Sequence, residues 1–132
     1  MRLFRGTRRP RFPADIASWL ENFGRYTLDI HHSGVDGMAV VTRFDALRDY
    51  ATTDPDGFLV ELRTVVAGDD GGFATFGAAC LVWQMLDDCL EMPAALPLID
   101  AGLDFKLERG LPPGMFNANE MLRLAQRRGQ QG

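Results

Sequence analysis

Residues 71–86 read GGFATFGAACLVWQML, sixteen residues without a charge, with the pair Asp69 and Asp70 before them and the pair Asp87 and Asp88 after them. A helix that is apolar on nearly every side is either buried in protein or spans a membrane. A spanning helix needs about 20 apolar residues and usually has an excess of Lys and Arg on its cytoplasmic side. Because this stretch is shorter and is flanked by acids, it predicts a buried central helix over about residues 71–91.

The composition is that of a single globular domain spanning residues 1–132. Hydrophobic residues make up 46% of the chain and charged residues 24%, and the length is sufficient to bury a core. No hydrophobic signal region follows Met1, so we expect neither secretion nor membrane insertion. Thirteen arginines against one lysine, with abundant Ala, Gly and Asp, are typical of a GC-rich bacterial genome.

The two cysteines indicate a reducing compartment. Cys80 and Cys89 are nine residues apart, and on one continuous helix they would face opposite sides, roughly 13 Å apart along the axis. That separation is beyond the reach of a disulfide. Two free thiols in a chain without a signal region favour a cytoplasmic protein.

Three helices are predicted before the central one, from hydrophobic residues at helical spacing and from capping residues. The first covers about residues 13–23 and ends at Gly24. The second begins after Asp36, and the third begins with Asp54 as N-cap and Pro55 in its first turn. The second helix is expected to bury one continuous stripe, which consists of Val40, Val41, Phe44, Leu47 and Ala51.

Two helices are predicted after the central one. The fifth covers about residues 94–109 and stops at Gly110, and the sixth opens near Asn117. Glu120 follows three residues later, which resembles a capping box with Asn in place of Ser or Thr. The sixth helix is expected to direct three residues into the core: Met121, Leu122 and Ala125.

These segments predict an all-α fold, a compact bundle of about six helices in which the small residues 77–79 let another helix approach the central one closely. One segment departs from helical spacing. Tyr26, Leu28 and Ile30 alternate with polar residues, which is the period of a half-buried strand. Its partner would be residues 2–5, so we expect at most a short N-terminal β-ribbon or an extended segment.

Three acids follow the central stretch with the spacing DDxxE: Asp87, Asp88 and Glu91. This resembles the aspartate-rich motif that holds magnesium and diphosphate in isoprenoid synthases. On a helix, Asp87 and Glu91 would share a face, and their oxygens could bridge a hard cation. The resemblance covers five residues, and the sequence has no second acidic motif. We therefore interpret the acids as solvated residues at the end of the apolar helix, and we predict no metal or other cofactor.

Asp29, His31 and His32 form an alternative site. If residues 29–31 are extended, Asp29 and His31 point to one face and could share a zinc ion or act as an acid–base pair. Ser33 is close in sequence, which would allow hydrolase-type chemistry. The simpler interpretation is a polar loop that leads into the Asp36 cap.

Charge is unevenly distributed along the chain. Residues 1–11 contain five arginines and no acid, so they carry +5, and because the net charge is −4 the remainder carries −9. A body this acidic repels nucleic acid and attracts a basic partner. The basic arm of residues 1–11 is expected to fold across the acidic body or to form a mobile terminus.

The sequence contains no complete catalytic set and favours a non-enzymatic protein-interaction domain with a basic protein partner. An immunity or antitoxin-like protein is one concrete form of this hypothesis. The expected binding face consists of one of two acidic groups, either Asp45, Asp49, Asp54 and Asp56, or Asp87, Asp88 and Glu91. The alternative is a small metal- or ligand-binding domain, or a hydrolase-type enzyme, that uses Asp29, His31 and His32. Self-association through an exposed apolar patch stays open.

Overall fold

The computed structural model describes residues 12–29, 34 and 36–131, and in these ranges all regular structure is helical. This confirms the predicted all-α bundle. The α-helices of the described part are α1 (Ile16–Leu28), α2 (Gly37–Val41), α3 (Phe44–Thr53), α4 (Pro55–Val65), α5 (Phe73–Met85), α6 (Leu96–Glu108) and α7 (Ala118–Gln131). Short 3-10 turns connect the later helices at Cys89–Glu91, Pro93–Ala95 and Pro113–Met115.

The apolar helix α5 lies at the centre of the bundle, as the sequence predicts. It packs most extensively against α1 and then against α6. Its buried residues point in every direction around the axis: Ala74, Thr75, Phe76, Gly77, Ala78, Ala79, Leu81, Val82 and Met85. Of the described helices, none combines the length and the apolar character that crossing a membrane requires.

Glycines bring α1 and α5 into backbone contact. A Cβ at Gly24 would lie 2.6 Å from the Phe73 carbonyl oxygen and 3.1 Å from the Gly77 nitrogen. A Cβ at Gly77 would in turn collide with the Leu20 carbonyl group. The predicted close approach at residues 77–79 is therefore confirmed, and α1 makes it at Gly77.

The predicted end of the first helix at Gly24 is wrong, and so is the strand predicted to begin at Tyr26. Helix α1 continues to Leu28 because Gly24 serves the contact with α5 instead of a C-cap. Arg25 supports this last part of the helix, since it pairs with Glu21 at 3.0 Å and its guanidinium lies 4.2 Å from the centroid of the Phe73 ring. Ile30 and the proposed partner strand, residues 2–5, lie outside the described residues.

The second predicted helix is divided into α2 and α3 by a turn at Thr42 and Arg43. Asp36 caps α2 as predicted, accepting a hydrogen bond from the Met38 nitrogen at 3.0 Å. The turn changes the direction of the chain. As a result, Val40 is fully buried whereas Val41 is 42% exposed. The continuous stripe predicted for this segment is therefore wrong at Val41.

The central helix is shorter than predicted, because it ends at Met85 instead of continuing to residue 91. Leu86 is extended, Asp87 and Asp88 form a turn, and Cys89–Glu91 is a 3-10 helix. Carboxylates are unfavourable at a helix C-terminus, where the helix dipole is negative. Ending the helix before the aspartates removes that cost.

The capping box at the start of α7 is confirmed. The Glu120 nitrogen donates to Asn117 Oδ1 at 2.8 Å, and the Asn117 nitrogen donates to Glu120 Oε1 at 2.9 Å. The inward face of α7 is nevertheless polar, because Glu120 and Arg123 are buried. The prediction that Met121, Leu122 and Ala125 point inward is wrong, since all three are exposed.

Candidate functional site: an acidic groove beside Trp83

A groove of about 320 Å³ lies between the end of α5 and helix α7. One wall comes from the chain that follows the apolar helix, and the other comes from one face of α7. The first wall consists of Trp83, Asp87, Asp88, Cys89, Leu90 and Glu91, and the second of Asn119, Leu122 and Gln126.

The turn after α5 fixes the direction of the three acids. Leu86 is 7% exposed and Cys89 is 1% exposed, so both anchor the turn in the core. The residues between them, Asp87 and Asp88, are consequently exposed, as is Glu91 two positions after Cys89. Because the described lining includes these three carboxylates and none of the Lys, Arg or His residues that the structure describes, the groove has a negative potential.

Apolar surface lies beside the carboxylates. Trp83 is half-buried on one wall, and Leu122 is 51% exposed on the other. Lys and Arg side chains combine an aliphatic stem with a cationic end, and they pack favourably on apolar and aromatic surfaces. The groove therefore has the chemistry to accept a cationic side chain, with its stem against Trp83 or Leu122 and its charge near the acids.

The arrangement does not support the cation-bridging geometry considered for the DDxxE spacing. That geometry requires Asp87 and Glu91 to be on one face of an α-helix, whereas the structure places them in a turn and a 3-10 helix. Across the described residues there is no group of three or more His, Cys, Asp or Glu side chains that could hold a metal ion.

Neither thiol is activated as a nucleophile. Burial raises the pKa of the Cys80 thiol from 9.0 to about 12, with the Glu120 carboxylate adding to the effect and Lys106 opposing it. Burial likewise raises the pKa of Cys89 to about 11, despite hydrogen bonds from the backbone. Both cysteines are free, and both are protonated at neutral pH.

The second predicted acidic group lies on α3 and α4, where some of its members already have partners. Asp54 caps α4 and accepts a hydrogen bond from the Gly57 nitrogen at 3.0 Å. Asp45 is fully exposed and lies 3.8 Å from Arg48. Asp49 and Asp56 are exposed on α3 and in the first turn of α4. In contrast to the groove, this surface includes a cation among its acids.

Of the alternative site, only Asp29 lies within the described residues. It is exposed at the C-terminal end of α1, and its backbone nitrogen donates to the Arg25 carbonyl oxygen at 3.0 Å. His31 and His32 lie outside the described residues. The metal-binding and hydrolase hypotheses for this segment therefore stay predictions.

The sequence did not reveal the α7 side of the groove or the partial exposure of Trp83. It also did not reveal the ion pairs between α6 and α7, in which Lys106 meets Glu120 and Asp100 meets Arg123. One signal was present in the sequence: acids at positions 100 and 104 and arginines at positions 123 and 127 have the same four-residue spacing.

No family model, curated protein or solved structure matches this chain.

Proposed function

We propose that this protein is a non-enzymatic interaction domain that binds a basic protein partner in the acidic groove beside Trp83. The observation that carries the proposal is the combination of three exposed carboxylates, Asp87, Asp88 and Glu91, with apolar surface from Trp83 and Leu122 in one concave site. Interface centres commonly combine an aromatic residue with charge complementarity around it. Inhibition of a basic toxin by an immunity or antitoxin-like protein is the concrete form that this activity takes in the proposal.

The charge of the body supports the same proposal. Outside the arm of residues 1–11 the chain carries −9, which accelerates the encounter with a basic protein at low ionic strength. The Debye length is about 8 Å at physiological salt, so charges on the groove rim act over the last few ångströms of approach. The proposal consequently predicts an association rate that falls steeply as salt increases.

A pair of charge-matched variants tests which surface binds. The first variant carries Asp87→Asn, Asp88→Asn and Glu91→Gln, and the second carries the substitutions Asp45→Asn, Asp49→Asn and Asp56→Asn. Each removes three negative charges and keeps the side-chain shapes, so net charge alone cannot distinguish the two proteins. We expect the first variant to lose complexes that the unmodified protein forms in its host lysate at low salt, and the second to retain them.

A synthetic arginine-rich peptide provides a defined probe of the groove. Binding next to Trp83 should change the fluorescence of that side chain, and Trp83→Phe should abolish the change while the buried Trp19 still emits. We expect affinity for the peptide to fall with salt and to fall further in the groove variant. Equal binding by both triple variants, or affinity that is independent of ionic strength, would count against the proposed site.

The enzyme or metal-binding alternative requires His31. Metal analysis of the purified protein and of a His31→Ala variant tests it, because a site that uses Asp29, His31 and His32 predicts a stoichiometric ion that the substitution removes.

A further inference from the structure

Helix α7 differs from the other helices in the kind of contact that holds it against the bundle. Its buried residues are charged: Glu120 is 4% exposed and Arg123 is 6% exposed. Its large hydrophobic residues Met121 and Leu122 face solvent, and Leu124 is only partly buried against the core. By contrast, α5 buries aliphatic and aromatic side chains along its whole length.

Three charged contacts join α7 to α6, and each uses a different residue of α7. Glu120 Oε1 accepts a hydrogen bond from Lys106 Nζ at 2.8 Å, with both side chains nearly buried. The Asp100 and Arg123 side chains form two parallel hydrogen bonds, both 2.8 Å long. Arg127 Nη2 donates to Asp104 at 2.9 Å, where the carboxylate is half-exposed. The hydrogen bonds with Asp100 raise the pKa of Arg123.

At the outer end of the interface between α6 and α7, one buried hydrogen-bond donor has no acceptor among the described residues. This donor is Arg127 Nη1. It lies 3.8 Å from Asp100 Oδ1, beyond hydrogen-bonding distance. Burying an unpaired donor is unfavourable, so water would satisfy this group better if α7 moved away.

We propose that α7 is a locally opening helix whose closure depends on the ion pairs with α6, and that its opening removes one wall of the acidic groove. Asn119, Leu122 and Gln126 form that wall, so the groove exists as a concave site only while α7 is closed. Helices α1 to α6 retain their apolar core when α7 opens. The opening of α7 is a conformational equilibrium of the free protein and does not depend on the identity of any partner.

The physical basis is the difference in salt response between charged and apolar contacts. Salt screens partly exposed ion pairs and leaves the burial of apolar surface largely unaffected or slightly strengthened. Local openings can occur with much lower free energy than global unfolding when few apolar contacts hold a segment. Raising the salt concentration should therefore favour opening of α7 while the rest of the bundle stays closed.

Amide hydrogen exchange on the full chain at low and at high sodium chloride tests the inference. We expect α7 amides to exchange about fivefold faster at high salt, from screening of the partly exposed pairs. Protection of α5 should stay constant or rise. A protein in which α7 and α5 respond to salt in the same way would overturn the inference.

Two charge-neutral variants separate the ion pairs from general effects of salt. Asp104→Asn with Arg127→Gln removes the outer pair, which is exposed enough for the fold to persist, and Asp100→Asn with Arg123→Gln removes the inner pair. Both should raise α7 exchange at low salt and reduce its remaining salt response. Glu21→Gln with Arg25→Gln removes an exposed pair on α1 and is the matched control. If the α6–α7 variants match this control in α7 exchange, the inference is wrong, whatever partner the groove binds.

Discussion

Replacing Gly77 by alanine should destabilise the protein because the new methyl group meets backbone, which cannot move independently. The added Cβ would collide with the Leu20 carbonyl oxygen, lie 2.8 Å from the Leu20 carbonyl carbon and lie 3.2 Å from the Gly24 nitrogen. Helix α1 must shift to accommodate it, and overpacking of this kind costs about 3 kcal/mol. Alanine regains about 1 kcal/mol of helix propensity. The net loss is therefore about 2 kcal/mol, which corresponds to about 8 °C in Tm for a domain of this size.

Chemical and thermal unfolding followed by circular dichroism measure this loss. Gly129→Ala is the matched control, because Gly129 is also helical but a Cβ there would meet nothing within 4 Å. Gly129→Ala should leave the free energy of unfolding unchanged or raise it slightly. If Gly77→Ala were as stable as Gly129→Ala, the backbone contact between α1 and α5 would be refuted.

Three further predictions concern the α5–α6 contact, a helix cap and the thiols. Gly102→Ala should destabilise because its Cβ collides with the Ala79 methyl group, and adding Ala79→Gly should recover part of the loss in a double-mutant cycle. Asp54→Ala removes the hydrogen bond to the first turn of α4 and should lower the free energy of unfolding by about 1 kcal/mol, measured in urea. Burial raises the pKa of the Cys80 and Cys89 thiols from 9.0 to about 12 and about 11, so the unfolded chain loses thiol protons at lower pH than the folded protein and stability should fall as pH rises above 9.0. Urea titrations across that range should show a smaller fall when both cysteines are replaced by alanine.

The central helix and the helix caps could be predicted from the sequence because their signals are local. Residues 73–85 carry no charge and have no polar face to expose to water. Their burial could therefore be predicted without knowing which helices surround them. Asp54 and Asn117 cap helices through hydrogen bonds to residues three positions away, and these do not depend on tertiary structure.

Gly24 and α7 could not be assigned from the sequence, because their roles depend on partners far along the chain. A glycine after an apolar run is compatible with a helix end or with a close helix contact, and only the position of Gly77 decides between them. The rule that hydrophobic residues face inward also fails for α7, since Arg123 pairs with Asp100 and turns Leu122 outward.

The candidate site was predictable in part for the same reason. Its acids lie within five consecutive positions, so Asp87, Asp88 and Glu91 could be grouped from their spacing alone. The opposite wall, which includes Asn119 and Gln126, depends on where the ion pairs place α7. Sequence reasoning therefore found the charge of the groove but not its shape.

The most direct test of the account is a nuclear Overhauser effect in solution between the amide proton of Gly24 and the α protons of Gly77. The backbones of α1 and α5 touch at these two residues, which places the apolar helix in the centre of the bundle. We therefore expect a strong cross-peak between the two glycines. If Gly24 shows contacts only to its neighbours in sequence while Gly77 contacts a different helix, the arrangement of the core described above is contradicted.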